Sequence, residues 1–212
     1  MTAPTADPST VTDPRAEADR PADETASHPR LVLIGPMGAG KSRVGKRVAR
    51  LLGARFVDTD RLVVAAHGPI AEIFDRHGEP HFRTLEREAV ADALASDGVV
   101  ALGGGAVLDP ATRDRLAGLS VVLLTVSAEA VEARLAGGKR PLVRDGGLAA
   151  WERILEERRP VYEALAVLRL DTSHRADDQL AAELADWVRE RESRAGEGPA
   201  DPAGRPSPGG AA

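Results

Sequence analysis

Eight residues, Gly35-Pro36-Met37-Gly38-Ala39-Gly40-Lys41-Ser42, restrict the fold more than any other stretch of the chain. They satisfy G-x-x-x-x-G-K-[ST] at every fixed position, follow the apolar run Leu31-Val32-Leu33-Ile34, and open a segment of helical periodicity. A strand, a glycine-rich turn and a helix in that order form a phosphate-binding loop. The glycines let backbone N–H groups converge on anionic oxygens, and the helix adds its positive end. In such a loop Gly38, Ala39 and Gly40 supply the backbone cradle. Lys41 reaches the outer phosphates of a nucleotide, and the Ser42 hydroxyl ligates Mg²⁺.

The elements that follow alternate between the two periodicities. Val44, Val48, Leu51 and Leu52 mark a helix that Gly53 ends. Residues 55–60 read as a short strand, Ile70, Ile73 and Phe74 as a helix stopping at Gly78, and Phe82 to Leu94 as a longer helix. Residues 98–102 form a buried strand that runs into Gly103-Gly104-Gly105, and Asp109-Pro110 cap a helix expected to reach Leu119. Residues 121–126 read as a central strand, Ser127 caps a helix to about Ala136, and a helix bearing Trp151, Ile154, Leu155 and Arg158 is perturbed at Pro160. Val167 to Asp171 is a last strand before a closing amphipathic helix. This alternation predicts an α/β fold, a parallel sheet with helices on both faces and right-handed crossovers.

With 212 residues there is room for one such domain. The expected domain spans residues 29–192. The Ala-, Asp- and Pro-rich residues 1–28 read as a disordered acidic extension, and residues 193–212 as a disordered tail. Of the formal net charge of −5, residues 1–28 account for all but one unit, with six acids against two arginines. The remainder is nearly neutral, which disfavours nucleic acid as a partner. No cysteine is present, so disulfides and thiolate chemistry are excluded, and no run approaches membrane-spanning length. A cytoplasmic protein is expected.

Asp58 and Asp60 stand two apart, so on a strand both would face the same way, beside the phosphate loop. Phosphoryl transfer uses one carboxylate for Mg²⁺ and another to orient or deprotonate the attacking hydroxyl. Arg83 and Glu86, three apart on a helix, share a face where the acid could hold the guanidinium; an ordinary surface ion pair has the same spacing. Arg158 lies in a charged helix face as readily as in a site. The triple glycine permits close approach of a ligand or makes a tight turn. Arg140 lies in a glycine-bearing run, about 137–147, that reads as a mobile lid and could neutralise charge on a transferring phosphoryl group. His77 and His81 have metal-like spacing, but Gly78 and Pro80 interrupt the helix that would align them.

Taken together, residues 29–190 resemble the bacterial shikimate kinases. The matching signatures are the phosphate loop (35–42), Asp-Thr-Asp (58–60), Phe-Arg-x-x-Glu (82–86), Gly-Gly-Gly-Ala-Val (103–107), Arg-Pro-Leu (140–142) and Arg-x-Pro-x-Tyr (158–162). The resemblance implies a three-layer P-loop kinase fold with a five-stranded sheet of order 2-3-1-4-5. It implies phosphorylation of the 3-hydroxyl of shikimate by ATP with Mg²⁺, in the chorismate pathway, by a monomer. It assigns Asp58 to the metal, Asp60 to the reacting hydroxyl, and Arg83, Gly104, Gly105 and Arg158 to the substrate, with both arginines on its carboxylate. Glu86 orients Arg83, Arg140 is the lid arginine, and Arg134 and Arg175 lie on the adenine side. The chain departs from the family at Arg43, next to the nucleotide, where Thr is usual. It also has a slightly shortened stretch from Arg134 to Arg140 and no proline in the loop after Thr172. Rival readings are a related kinase acting on gluconate or a nucleoside monophosphate, and a nucleotide-dependent switch with no acceptor.

Overall fold

The computed structural model describes residues 28–136 and 143–196. Most of the N-terminal extension, most of the lid segment including Arg140, and the tail beyond Gly196 lie outside the described residues.

Five short strands form one parallel sheet: β1 (Leu31–Ile34), β2 (Phe56–Asp58), β3 (Val99–Ala101), β4 (Val121–Thr125) and β5 (Leu168–Asp171), in the order β2-β3-β1-β4-β5. The order expected from the family resemblance is the order found. β1 is central, with Leu33 in register with Ala101 on one side and Val122 on the other. Its four residues are all buried, as required of a strand covered on both faces.

Alternation splits these apolar runs between two layers. Leu31, Leu33, Val122 and Leu124 pack with Val44 and Val48 of α1 (Lys41–Leu52) and with Leu180, Leu184 and Val188 of α7 (Asp177–Gly196). Val32, Ile34, Val121 and Leu123 pack on the other face with Val90 and Leu94 of α3 (Ile70–Leu94), Leu116 of α4 (Pro110–Leu116) and Tyr162 of α6 (Val143–Leu165). Each face buries its own stripe, giving three layers. The two remaining helices, α2 (Thr59–His67) and α5 (Ala128–Ala136), each follow a strand directly.

Several boundaries differ from expectation. Strand β2 ends at Asp58, and Thr59 and Asp60 are already helical, because the Asp58 side chain accepts from the Arg61 N–H and caps α2. Gly78, at φ 77° and ψ 172°, breaks α3 as predicted, yet helix resumes at once on its far side so that the two expected helices run as one bent element. Helix α4 stops at Leu116, short of Leu119, and Gly118 turns the chain at φ 81°. Leu51, at the end of α1, is 47% exposed, so the buried stripe consists of Val44, Gly45, Val48 and Ala49. Helix α7 continues to Gly196, past the boundary expected at 192.

Candidate active site

The carboxyl ends of β1, β2 and β3 open onto a cavity of about 930 Å³. Lys41, Asp58, Asp60, Arg83, Arg134 and Arg158 all line it, with Gly104 and Gly105 in its wall. This is the edge of a parallel sheet where ligands bind, because strands hand over to loops and helix N-termini there.

The phosphate loop leaves β1 at Gly35, whose φ of 133° brings the backbone against the Leu124 carbonyl too closely for any side chain. Gly38 and Gly40 take φ of 84° and 83°. The Lys41 ammonium donates to the carbonyls of Gly35 (2.7 Å) and Pro36 (3.0 Å). Burial pushes its pKa down to about 8, against the pull of Asp60 and Asp58 and with the repulsion of Arg158. An anion arriving here would meet a desolvated cation, the condition under which a charge interaction is strongest.

Ser42 Oγ donates to Asp58 Oδ2 at 2.5 Å. The two oxygens, one of them anionic, are the hard donors that Mg²⁺ selects, so the residues present fit that ion. Asp58 performs this as the cap of α2, which corrects the strand alternation used to pair it with Asp60. Asp60 reaches the cavity from the first turn of α2. A Cβ placed on Gly103 would stand 2.5 Å from Asp60 Oδ1 and 2.7 Å from Glu86 Oε1, so these carboxylates meet over that glycine. Glu86 is buried, and its pKa is raised by that burial and by Asp60, while Arg83 opposes the shift.

Arg83 is held from two sides. Its Nη1 donates to Glu86 Oε2 (2.7 Å), and its Nε and Nη2 donate to Glu79 Oε1 (3.1 and 2.8 Å). The guanidinium lies against Gly105, where its Cζ would stand 3.0 Å from a Cβ. Arg158 Nη1 lies 3.7 Å from the corresponding point on Gly104. The triple glycine therefore makes room for both guanidinium groups at one wall. Two cations with planar forks, close to the buried Glu86 and the solvent-facing Asp60, can bind a carboxylate and place a hydroxyl on Asp60.

Other predicted residues lie elsewhere. Arg134 donates to the Gly38 carbonyl (2.9 Å) and to Thr172, through both the threonine Oγ1 (3.2 Å) and its carbonyl. Arg43 lines the cavity but turns outward to Asp177 at 3.4 Å, with its side chain 56% exposed. Arg175 pairs with Glu183 of α7 and is not among the residues lining the cavity. His77 and His81 have ring centroids 4.8 Å apart on the surface, and no group of three metal-ligating side chains occurs among the described residues.

Several polar contacts escaped the sequence reading. Thr59 Oγ1 accepts from the Gly103 N–H (2.9 Å), and Tyr162 donates to the Gly104 carbonyl (2.5 Å), so the first two glycines of the run are tied down. Trp151 donates to the Met37 carbonyl (2.9 Å), and Thr172 Oγ1 lies 3.1 Å from the Ala39 carbonyl. Thr59 and Tyr162 fall within sequence signatures, Asp-Thr-Asp and Arg-x-Pro-x-Tyr, whereas nothing in the sequence points Trp151 or Thr172 at the loop.

Residues 37–189 match the family model for shikimate kinase. The chain belongs to the shikimate kinase family. A shikimate kinase of Salinispora arenicola is 50% identical over 160 residues, which cover 74% of this chain and 96% of that protein. Another, of Corynebacterium efficiens, is 45% identical over 161 residues, 74% of this chain and 95% of that one. Among solved structures, the shikimate kinase of Acinetobacter baumannii in complex with shikimate superposes with a TM-score of 0.71 at 29% identity, covering 78% of this chain and 95% of that chain. Shikimate kinases phosphorylate shikimate in aromatic amino acid biosynthesis, with ATP as co-substrate and Mg²⁺, and this chain is an enzyme of that class.

Proposed function

We propose that the enzyme transfers the γ-phosphoryl group of ATP to the 3-hydroxyl of shikimate, giving 3-phosphoshikimate and ADP, at the cavity above β1 and β3. One observation carries the assignment of roles: Arg83 and Arg158 flank Gly104 and Gly105, and Asp60 stands over the adjoining Gly103. The carboxylate of the acceptor lies on the two guanidinium groups, which fix its ring by direction as well as charge. Glu86 holds Arg83 to the glycine wall. The acceptor hydroxyl then faces Asp60, which orients it and takes up its proton as the new P–O bond forms and the bond to the departing ADP oxygen breaks.

Lys41 and the loop backbone from Gly38 to Ser42 hold the outer phosphates, and Lys41 neutralises charge that moves onto the leaving oxygen. Ser42 and Asp58 would hold Mg²⁺, which supplies charge neutralisation across the phosphates when bound. Arg134, close to Gly38 and Thr172, belongs to the nucleotide side. The enzyme works as a monomer in the cytoplasm. No helix among the described residues is long and apolar enough to cross a membrane, and the chain carries no cysteine for extracellular cross-linking.

ADP release from ATP·Mg²⁺, measured with shikimate, gluconate, AMP or no acceptor, tests this reading. Release that depends on shikimate alone is expected. Release indifferent to the acceptor would point to a nucleotide switch, and gluconate dependence would move the enzyme to another branch of the superfamily.

A further inference from the structure

The carbonyls of the phosphate loop are held by side chains from within it and from outside. Lys41 takes the carbonyls of Gly35 and Pro36. The next three carbonyls are held from three separate elements: Met37 by Trp151 of α6, Gly38 by Arg134 of α5, and Ala39 by Thr172 just after β5. Trp151 is 3% and Thr172 2% exposed, so neither group exchanges its partner for water at no cost.

A trans peptide points its C=O and its N–H in opposite directions. Whatever holds the Met37 carbonyl therefore aims the Gly38 N–H, and whatever holds the Ala39 carbonyl aims the Gly40 N–H. Both of these residues are glycines at positive φ, where the local chain imposes little preference of its own. The aim of those two donors must come from tertiary contacts. We propose that Trp151 and Thr172 are positioning residues of the phosphate loop, fixing the Met37–Gly38 and Ala39–Gly40 peptides so that their N–H groups face the nucleotide phosphates.

Thr172 does this as one node of a small network. Its Oγ1 accepts from Arg134 Nη1 and lies within donating distance of the Ala39 (3.1 Å) and Thr125 (3.0 Å) carbonyls. The end of β4, the end of β5 and the loop are thereby joined through one hydroxyl. Trp151 joins the loop to α6, the helix that also bears Arg158, so one helix sets both the loop and an acceptor-side cation. Plain core packing would explain a buried ring or a buried threonine methyl, but not the direction of both polar atoms toward loop carbonyls.

The proposal rests on the reading that nucleotide phosphates bind this loop. ADP·Mg²⁺ affinity is therefore measured by calorimetry on the full chain for Trp151→Phe, Thr172→Val, Thr172→Ser and, as a control on that reading, Lys41→Ala. Phe keeps an apolar ring without the N–H, Val keeps the shape without the hydroxyl, and Ser restores it. Trp151→Phe and Thr172→Val should each weaken ADP binding about three- to tenfold, as expected for loss of one buried hydrogen bond. Shikimate affinity measured without nucleotide should hold within about twofold, and Thr172→Ser should recover most of the loss. If Trp151→Phe does not fold, the Thr172→Val and Thr172→Ser pair decides. Lower melting temperatures with unchanged ADP affinity would overturn the proposal. Unchanged ADP affinity in Lys41→Ala would overturn the underlying phosphate-site reading instead.

Discussion

The two halves of the active site rest on foundations of different strength. The phosphate loop emerges from β1, a strand with neighbours on both sides, and Leu31 and Leu33 belong to a large core shared by α1 and α7. On the acceptor side Asp60 comes from α2 and Arg83 and Glu86 from α3. There Val63, Ile73, Phe82 and Leu85 form a small cluster of their own and Gly78 breaks the helix, while Val90 and Leu94 tie the end of α3 to the second face of the sheet. The donor half is held in place by a large core, whereas the elements around Asp60 rest on the smaller cluster and on a helix broken at Gly78. That division suits a kinase. The phosphates need a preformed nest of donors, while the acceptor must enter and then be brought into line.

The sharpest test of this division is Asp60→Asn. Asp60 sits where the halves meet, on α2 but over Gly103 at the end of β3. The amide keeps the shape and cannot take a proton, so kcat should fall by about 10² to 10⁴ while ADP affinity stays near that of the parent. Turnover near wild type would remove Asp60 from the chemistry. Loss of ADP binding instead would show that the halves are not separable.

Arg83→Lys acts within the acceptor half alone. Lysine cannot bridge Glu79 and Glu86 and still offer a fork to a carboxylate. The shikimate KM should rise about 10- to 100-fold, the cost of a charged two-point hydrogen bond, with the ATP KM unchanged. A matching rise in the ATP KM would break the division; an unchanged shikimate KM would displace Arg83 from the carboxylate.

How far these features could be read from the sequence follows the same division. The phosphate loop is contiguous, and its glycines, lysine and serine announce themselves within eight residues. Asp58 and Asp60 both line the cavity, but the strand alternation that predicts it is not what brings them there. Asp-Thr-Asp after an apolar pair suits a strand end, but an aspartate three residues before a free N–H also caps a helix, and the cap prevailed. Glu79 lay hidden because Gly78 promised a break between helices, and the helix resumes early enough to set Glu79 one turn from Arg83. Trp151, Thr172 and Thr59 act across 114, 133 and 44 residues, distances over which periodicity says nothing. Arg134 and Arg43 are both expected near the nucleotide from the sequence. What could not be read was that one grips the loop and the other turns to Asp177.

A pH series probes the donor half with a smaller effect. Burial lowers the Lys41 pKa from an ordinary lysine value to about 8. Because the folded value lies below the unfolded one, the folded protein holds fewer protons above about pH 8, and the free enzyme should gain stability as pH rises from there toward 10.5. Bound phosphates favour the charged lysine, so binding near pH 8 takes up a proton. ADP affinity should then fall by up to about tenfold per pH unit above that value. Affinity should move one way and melting temperature the other, and Lys41→Arg, which stays charged, should flatten both. Shikimate affinity measured without nucleotide, governed by arginines, should show no break near pH 8.

The smallest expected effect lies at Glu79, on the exposed rim of the acceptor half, with its side chain 60% exposed. Its Oε1 occupies the Nε and Nη2 side of Arg83, and Glu86 takes one Nη1 proton, which leaves one proton on each Nη for an incoming carboxylate. It thus orients the fork and repels the same ligand, and the two effects oppose each other. Glu79→Gln keeps an acceptor and removes the charge, so the shikimate KM should fall, by no more than about threefold for a solvent-screened pair. Glu79→Ala removes both, and the KM should rise by a similar factor as the fork loses its direction. Salt at about 0.5 M should erase the Gln effect, which is charge alone, and spare most of the Ala effect, which is geometry. Equal shifts in the same direction for both variants would mean that Glu79 contributes only its charge, leaving Glu86 as the residue that aims Arg83.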